Sequence, residues 1–335
     1  MNRWGRVKVA KPGVEFAGGS VQGWLMSRIL GFCVLYLLGA GGIRAEERRF
    51  VFERPLMGTR FAVTCHGSDE GAAKAAAAEA FEAAGKINAV ASDYLVDSEL
   101  MRLPAGRAAV GLSPLLAELV EVSLATAERC GGAFDPTLGP LTRLWRESRR
   151  SRNLPSAEER GRALAACGWR DAVFDPEART LWLKKPGMRL DFGGIAKGFA
   201  ADRMFEVMKK QGFSRTCIAA GGDLRLGDPP PGKAGWKVGL KTFDLEKPEE
   251  VVELSNCAVS TSGDLHQFVE IGGKRYSHIV DPATGLGLTG RVAVSVIAPT
   301  ATFSDALATA CCVVGAEDAE AFGLERGATR VIVRD

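Results

Sequence analysis

The residues best suited to do chemistry are concentrated in the segment D-F-G-G-I-A-K-G, Asp191–Gly198. It joins a predicted strand to a predicted helix, and its paired glycines would let the backbone approach a ligand closely. The amides at the start of the following helix favour an anionic group, and Lys197 could add a positive charge beside a phosphate. The segment matches neither the P-loop nor the G-x-G-x-x-G pattern, so by itself it fits a structural turn equally well.

A carboxylate and a hydroxyl are spaced to share one helix face in the segment A-P-T-A-T-F-S-D-A-L-A-T-A, Ala298–Ala310. Asp305 and Thr309 are four residues apart, which is about one helical turn. Two hard oxygens in this arrangement suit Mg²⁺. The alternative is structural: Asp305 would interact with the helix N-terminus, and Thr309 would only pack.

The third candidate is His278, one of three histidines, within R-Y-S-H-I-V-D-P-A-T-G, Arg275–Gly285. It falls at the end of a predicted strand and before a D-P-x-T-G turn. An imidazole beside a glycine-bearing loop is a candidate general base. A lone histidine in such a place more often has a structural role, and the residue pattern by itself leaves both interpretations open.

Local signals predict the helices and strands that must position these residues. Helices are predicted over Ala72–Val90, from Ser113-Pro114 to Gly131-Gly132, from the capping box Ser156–Glu159 to Gly168, and over Lys197–Gln211. Strands are predicted at Arg60–Cys65, Thr180–Leu183, Arg189–Phe192, Thr216–Ala219, Trp236–Lys241, Gln267–Ile271, Arg275–Val280 and Val292–Ala298, with a hairpin at Gly272-Gly273. Because helices and strands mix without strict alternation, the sequence predicts an α+β fold, with mixed sheets flanked by helices in one domain over residues 46–335.

The first 45 residues differ from the rest in charge and hydropathy. They hold six basic residues and one acidic residue, and the uncharged apolar run Ile29–Gly42 follows Arg28. This run is shorter than the roughly 20 apolar residues that span a bilayer, and it has the length of a signal-peptide core. We therefore predict a signal peptide or N-terminal membrane anchor over residues 1–45, ending at Ala45, with translation starting at Met1 or Met26. The body would then be exported, either periplasmic or anchored at the outer face of the inner membrane.

Composition limits the classes of protein to which the body can belong. With 46% apolar and 25% charged residues, the full chain has an ordinary globular composition, which excludes a disordered tail or a coiled coil. The 43 basic and 40 acidic residues are too balanced for an electrostatic nucleic-acid binder. Seven of the eight cysteines follow the leader without any C-x-x-C spacing, which argues against a disulfide framework and against a zinc site.

Several short motifs occur in a fixed order along the body. They are M-G-T (Met57–Thr59), Y-x-x-x-S-E-L (Tyr94–Leu100), G-A-F-D-P-T-L-G-P-L (Gly132–Leu141), D-F-G-G-I-A-K-G, A-G-G-D-L (Ala220–Leu224), S-T-S-G-D (Ser260–Asp264), S-H-I-V-D-P-A-T-G (Ser277–Gly285) and D-A-L-A-T-A (Asp305–Ala310). Taken together, they resemble the FAD:protein FMN transferase family, known as ApbE. The resemblance runs from about Phe52 to Val333.

The resemblance implies an α+β enzyme that uses FAD as substrate together with Mg²⁺. Such an enzyme cleaves the FAD pyrophosphate, releases AMP and passes FMN to a threonine hydroxyl of a partner protein, which belongs to a membrane redox complex or a soluble relative of one. Some members of the family instead hydrolyse FAD to FMN and AMP. A non-catalytic flavin-binding protein is a third alternative, against which the presence of His278, Asp305 and Thr309 argues.

The resemblance also implies roles for individual residues. The positions that match FAD contacts are Met57, Tyr94, Ala133, Phe134, Asp135, Asp191, Lys197 and the backbone at Val280. The Mg²⁺ ligands would be Asp305, Thr309 and one backbone carbonyl, with Gly194 preferred and Ala196 as the alternative. His278 matches the base that deprotonates the acceptor threonine. Ala308 stands where some relatives carry a second carboxylate, so the metal shell would hold an extra water.

Overall fold

The computed structural model describes residues 46–106, 108–240, 250–264 and 268–334, so the leader predicted over residues 1–45 lies outside the described residues. The helices are α1 Glu70–Ala91, α2 Pro114–Arg129, α3 Gly139–Ser151, α4 Ala157–Ala165, α5 Ala196–Lys210, α6 Ala301–Val314 and α7 Ala316–Glu325. The strands are β1 Arg48–Leu56, β2 Thr59–Gly67, β3 Val110–Gly111, β4 Ala172–Asp175, β5 Thr180–Leu183, β6 Thr216–Ala220, β7 Asp223–Leu226, β8 Trp236–Gly239, β9 Val251–Leu254, β10 Ala258–Gly263, β11 Phe268–Ile271, β12 Lys274–Ser277, β13 Ala293–Ala298 and β14 Arg330–Arg334.

The largest sheet has seven strands in the order β1-β2-β6-β7-β10-β13-β14. All six pairings in it are antiparallel, where the sequence had led us to expect mixed sheets. Two of these pairings are set locally, because tight turns join β1 to β2 and β6 to β7. The first turn has two residues, Met57 and Gly58, which take φ values of 48° and 71° between the paired Leu56 and Thr59. Two successive positive φ values are typical of a type I′ hairpin.

Each face of this sheet is covered by a different set of elements. On one face, alternate residues of β2 such as Phe61 and Val63 join the main core with helices α1, α5 and α6. On the other face, Val259 and Ile297 pack with Trp236 and other residues of the β8–β9 hairpin. The helical face carries the motifs of chemical interest, because α5 follows D-F-G-G and α6 holds Asp305 and Thr309.

A third hydrophobic cluster joins α3 to the hairpin of β11 and β12. Leu141 and Trp145 of α3 pack with Tyr276 of β12 and with Val280, which follows it. The rings of Trp145 and Tyr276 meet edge to face with centroids 5.5 Å apart. This cluster holds the segment containing His278 against α3.

The α+β class is confirmed, and so are the four predicted helices and most of the predicted strands. The strand predicted at Arg189–Phe192 is wrong, since only Arg189 forms an isolated bridge, to Leu138. The strand predicted at Arg275–Val280 ends at Ser277. Within the described ranges, no helix is both long and apolar enough to cross a bilayer.

Candidate active site

One lysine and two carboxylates form the charged centre of the helical face. Lys197 lies in the first turn of α5, Asp223 begins β7, and Asp305 lies on α6. Lys197 Nζ is 2.6 Å from Asp223 Oδ2 and 3.1 Å from Asp305 Oδ2. Both carboxylates are buried. The group carries one more negative than positive charge, so it can accept a further cation.

The protonation equilibria of this centre follow from its burial. The pKa of Asp305 is raised to about 6, because burial and the neighbouring charge of Asp223 outweigh the opposing effect of Lys197. Burial alone would lower the pKa of Lys197, but the two carboxylates outweigh it and hold that pKa above its ordinary value. Lys197 therefore stays protonated and presents a fixed positive charge.

Gly198 allows α5 and α6 to approach closely at this centre. A Cβ atom on Gly198 would overlap the carbonyl oxygen of Ala301 and lie 2.9 Å from Asp305 Cβ. The Gly198 amide donates a hydrogen bond of 3.1 Å to Asp305 Oδ2. The last glycine of D-F-G-G-I-A-K-G is thus required by helix packing, and its amide also orients the carboxylate.

The three positions expected to supply metal ligands lie together. A Cβ atom on Gly194 would be 3.3 Å from Thr309 Oγ1, so the D-F-G-G loop lies directly against α6. Thr309 Oγ1 donates to the Asp305 carbonyl at 3.3 Å and lies 3.1 Å from Ser262 Oγ. Ala196, the alternative carbonyl, is the first residue of α5 and is buried. A carboxylate, a hydroxyl and nearby carbonyls are hard oxygen donors, so this set fits Mg²⁺.

A second charged contact joins the same three elements one turn further along α5. Asp202 accepts hydrogen bonds from the amides of Ala301 and Thr302, at 2.9 and 2.8 Å, and so caps the start of α6. Arg225 of β7 lies 3.0 Å from Asp202. Helix α6 is therefore fixed to α5 and β7 at its first turn as well as at Asp305.

Asp191 is held from α3 and orders the loop that follows it. Its Oδ2 accepts a hydrogen bond from Thr142 Oγ1 at 2.5 Å and lies 2.9 Å from Arg146. Its Oδ1 accepts from the Gly193 amide at 2.7 Å, which bends the chain and explains why no strand forms here.

Arg146 also pairs with Asp93. Burial raises the pKa of Asp93, and the charge of Asp191 adds to this effect.

The flavin-contacting positions predicted elsewhere differ in how much of their surface is available. Tyr94 is 77% exposed and stacks over Arg146, with the guanidinium 4.5 Å from the ring centroid. The Asp135 carboxylate accepts hydrogen bonds from the Thr137 amide and hydroxyl and from the Trp169 amide. Burial raises the pKa of Asp135, while these bonds oppose that effect. Asp135 therefore holds its own loop in place, in which Ala133 is half-buried and Phe134 is buried in the main core.

Phe134 and Met57 reach the centre from two other directions. The Phe134 ring lies against Gly194, 3.5 Å from where a Cβ would stand. Met57, at the tip of the β1–β2 hairpin, is half-buried against the main core. The Gly221 amide donates to the Arg60 carbonyl at 3.0 Å, so the hairpin tip lies beside the turn that precedes Asp223.

His278 lies just beyond β12 and is half-buried. The carbonyl of its neighbour Ser277 accepts a hydrogen bond of 2.9 Å from Trp145 Nε1. The Val280 side chain is buried in the third cluster, and its backbone bridges to Gly287. Trp145 and Arg146 are adjacent on α3, so one helix positions both the His278 segment and Asp191.

Comparison with known proteins places the whole of this site within one family. A sequence model of the ApbE family matches residues 57–332. The chain belongs to the ApbE family. It is 34% identical to the FAD:protein FMN transferase of Treponema pallidum over 304 residues, covering 85% of this chain and 84% of that protein. It is 32% identical to the FAD:protein FMN transferase of Klebsiella pneumoniae over 322 residues, covering 92% of this chain and 91% of that protein.

Solved structures of ApbE proteins share the fold. The apo flavinyl transferase ApbE of Pseudomonas stutzeri matches with a TM-score of 0.76 and 29% identity, covering 87% of this chain and 92% of that one. The ApbE protein of Thermotoga maritima matches with a TM-score of 0.77 and 29% identity, covering 85% and 94%.

Several residues that build this ApbE site were missed in the sequence. Thr142 and Arg146 lie four residues apart on α3, a helix that was not predicted, and Leu141, Trp145 and Ser148 form its buried face at helical spacing. That spacing was the available signal. Asp223 and Ser262 were inside recognised motifs but had been treated as turn residues. Asp202 and Arg225 gave no local signal, because their contacts are separated by tens of residues.

Proposed function

We propose that this ApbE family member transfers FMN from FAD to a threonine hydroxyl of a partner protein, with release of AMP and with Mg²⁺ as cofactor. One observation carries the proposal: the Gly193-Gly194 loop, Lys197, Asp305 and Thr309 converge on one point of the helical face. The FAD:protein FMN transferases named above support a flavin donor and a protein acceptor.

The phosphate side of the reaction depends on charge. The FAD diphosphate would lie at the start of α5, where Lys197 and the positive end of the helix dipole complement its negative charge. Asp305, Thr309 and the carbonyl of Gly194 or Ala196 would hold Mg²⁺. The ion, when bound, stabilises the charge that develops on the departing AMP phosphate.

The acceptor side needs a base, since a threonine hydroxyl is a weak nucleophile near neutral pH. The acceptor oxygen forms a bond to the phosphorus of the FMN phosphate, and the bond from that phosphorus to the bridging oxygen of AMP breaks. His278 accepts the hydroxyl proton, and AMP leaves with the bridging oxygen. Asp191 and α3 orient the flavin half through Tyr94 and Arg146.

The site of action is also a proposal. The leader over residues 1–45 would export the enzyme to the periplasm or anchor it at the outer face of the inner membrane, so the acceptor would be a protein domain exposed there, such as a subunit of a membrane redox complex. Fractionation of cells that express the full chain tests this: recovery in the cytoplasm with the leader intact would contradict it.

Mass spectrometry of a co-expressed acceptor domain tests the transfer itself. We expect a mass increase of one FMN on a threonine, and stoichiometric AMP by chromatography. Rapid AMP release that an acceptor does not accelerate would instead make water the acceptor and the chain an FAD pyrophosphatase.

The His278→Ala variant separates the acceptor side from the phosphate side. Flavin attachment should fall by roughly 100-fold or more, as for loss of a general base, while the dissociation constant for FAD changes by less than about threefold. Equal losses in attachment and in FAD binding would contradict the role of His278 as the base.

A further inference from the structure

A groove with a volume of about 560 Å³ opens beside the C-terminal half of α3. Four arginines and two aromatic residues line it, with Glu270 as an acidic neighbour: Arg146, Arg149, Arg150, Arg152, Tyr94 and Phe268. Its charge is local, since the chain beyond the predicted leader carries slightly more acidic than basic residues.

Two of the four arginines are already neutralised within the protein. Arg146 pairs with Asp93 and Asp191, and Arg150 pairs with Glu147. Among the described residues, neither the Arg149 nor the Arg152 side chain forms an ion pair or a hydrogen bond, although Arg149 lies within helix α3. Their positive charges therefore attract an anionic partner to the groove.

The rim of the groove has the composition of a protein interface. Tyr94 is 77% exposed, and Val96, in the same loop, is 80% exposed. Phe268, the first residue of β11, is 41% exposed, with the Arg275 guanidinium against its ring. Exposed aromatic and aliphatic side chains beside arginines are typical of protein-binding surfaces, whereas a site for a small anion needs no such apolar rim.

The groove is continuous with the active site. Arg146 lies in its wall and contacts Asp191, which in turn orders the Gly193 amide. Trp145, the next residue on α3, binds the carbonyl that precedes His278. A polypeptide lying along the groove is thus directed toward both the phosphate loop and His278.

We propose that this groove docks an acidic segment of the acceptor protein, with carboxylates paired to Arg149 and Arg152 and apolar side chains against Phe268, while Tyr94 at the other part of the groove contacts the flavin. This inference rests on the proposed function for the identity of the partner, while the chemistry of the docking segment comes from the groove itself.

Fluorescence anisotropy of the full-length chain with a fluorescein-labelled peptide of alternating Glu and Ala tests the groove directly. We expect the Arg149→Glu/Arg152→Glu variant to weaken binding at least about tenfold, because two attractive contacts become repulsive. Lys86→Glu/Lys210→Glu is the matched control, since it makes the same change in net charge at exposed helix positions outside the groove. That control should bind as the unchanged protein does, and a Gln-Ala peptide should bind at least about tenfold more weakly.

The same titration, repeated with saturating FAD, shows whether FAD and the peptide compete for the groove. Peptide binding that persists with FAD bound supports docking of an acceptor. Competition by FAD would overturn the proposal, because the arginines would then serve the nucleotide. Equal weakening by the two double variants would also overturn it, and so would tighter binding of a labelled oligothymidylate than of the peptide. None of these readouts requires FAD cleavage, so failure of the proposed transferase activity would be seen separately.

Discussion

The two sides of the site are built in opposite ways. On the phosphate side, the two charged residues of α5 each have partners on two other elements: Lys197 contacts Asp223 of β7 and Asp305 of α6, and Asp202 contacts Arg225 of β7 and the first amides of α6. On the flavin side, Tyr94 is 77% exposed and rests on a single guanidinium. In the reaction we propose, the buried side would fix the positions of the reacting groups, and the open side would leave room for a flavin and a protein to enter together.

The largest effect is expected when a charge is removed from the buried side of the site. Asp305→Ala should lower AMP release from FAD by at least roughly 100-fold, because the proposed Mg²⁺ ligand and a partner of Lys197 are lost together. Chromatography of AMP with and without Mg²⁺ measures the effect. Asp318→Ala, an exposed aspartate on the adjacent helix α7, is the control and should retain full activity. Unchanged AMP release in Asp305→Ala would contradict the assignment of Asp305 as a metal ligand and would favour a non-catalytic flavin-binding protein.

A smaller change tests whether close packing maintains the buried side. Gly198→Ala forces a methyl group into α6 and should lower the free energy of unfolding by about 3 kcal/mol. Gly85→Ala, where a Cβ meets no atom within 4 Å, should instead raise it by about 0.5 kcal/mol. Urea unfolding followed by circular dichroism compares the two. Equal stabilities would mean that α5 and α6 are not in the contact described.

The cap on α6 should have an intermediate effect. Asp202→Ala leaves two helix amides and Arg225 without their partner, so we expect a loss of about 2 kcal/mol and a higher Mg²⁺ requirement. Asp69→Ala removes an exposed cap from α1, where the Ala72 amide donates at 3.0 Å, and should cost about 1 kcal/mol with no change in Mg²⁺ requirement. Thermal melts and Mg²⁺ titrations of AMP release distinguish them. The idea fails if both caps have the same effect on the Mg²⁺ titration.

The open side should tolerate substitution best. Tyr94→Ala should raise the KM for FAD roughly fivefold and change kcat less than about twofold, as expected for loss of one stacking contact. Tyr94→Phe keeps the ring and should behave as the unchanged enzyme. Steady-state kinetics of AMP release provide both constants. A fall in kcat as large as that of Asp305→Ala would show that the two sides are not separable.

The parts of the site that could be predicted from the sequence are those set by local spacing. Asp305 and Thr309 share a face because they are one helical turn apart, and the glycines of the 191–198 segment have the close contacts that their lack of a side chain permits. Collinear motifs supplied the family and the fold class. The order of the sheet and the contact of α5 with α6 depend on pairings across the whole chain, which local patterns do not encode.

Long-range contacts also explain the errors. Arg189–Phe192 alternates like a strand, but Asp191 bonds to the Gly193 amide and to α3, and the chain turns. Helix α3 was missed because its arginines obscure a narrow apolar face. The leader, the metal and the role of His278 remain predictions to which the experiments above apply.

Met57 occupies a backbone conformation, with φ of 48°, that glycine or asparagine would adopt more readily. A selection for heat resistance would therefore favour Met57→Asn or Met57→Gly, with a gain of up to about 1 kcal/mol. If the thioether does contact the flavin nucleotide, such thermostable clones would bind FAD less tightly. Directed evolution of this enzyme for thermal stability should therefore keep Met57 unchanged.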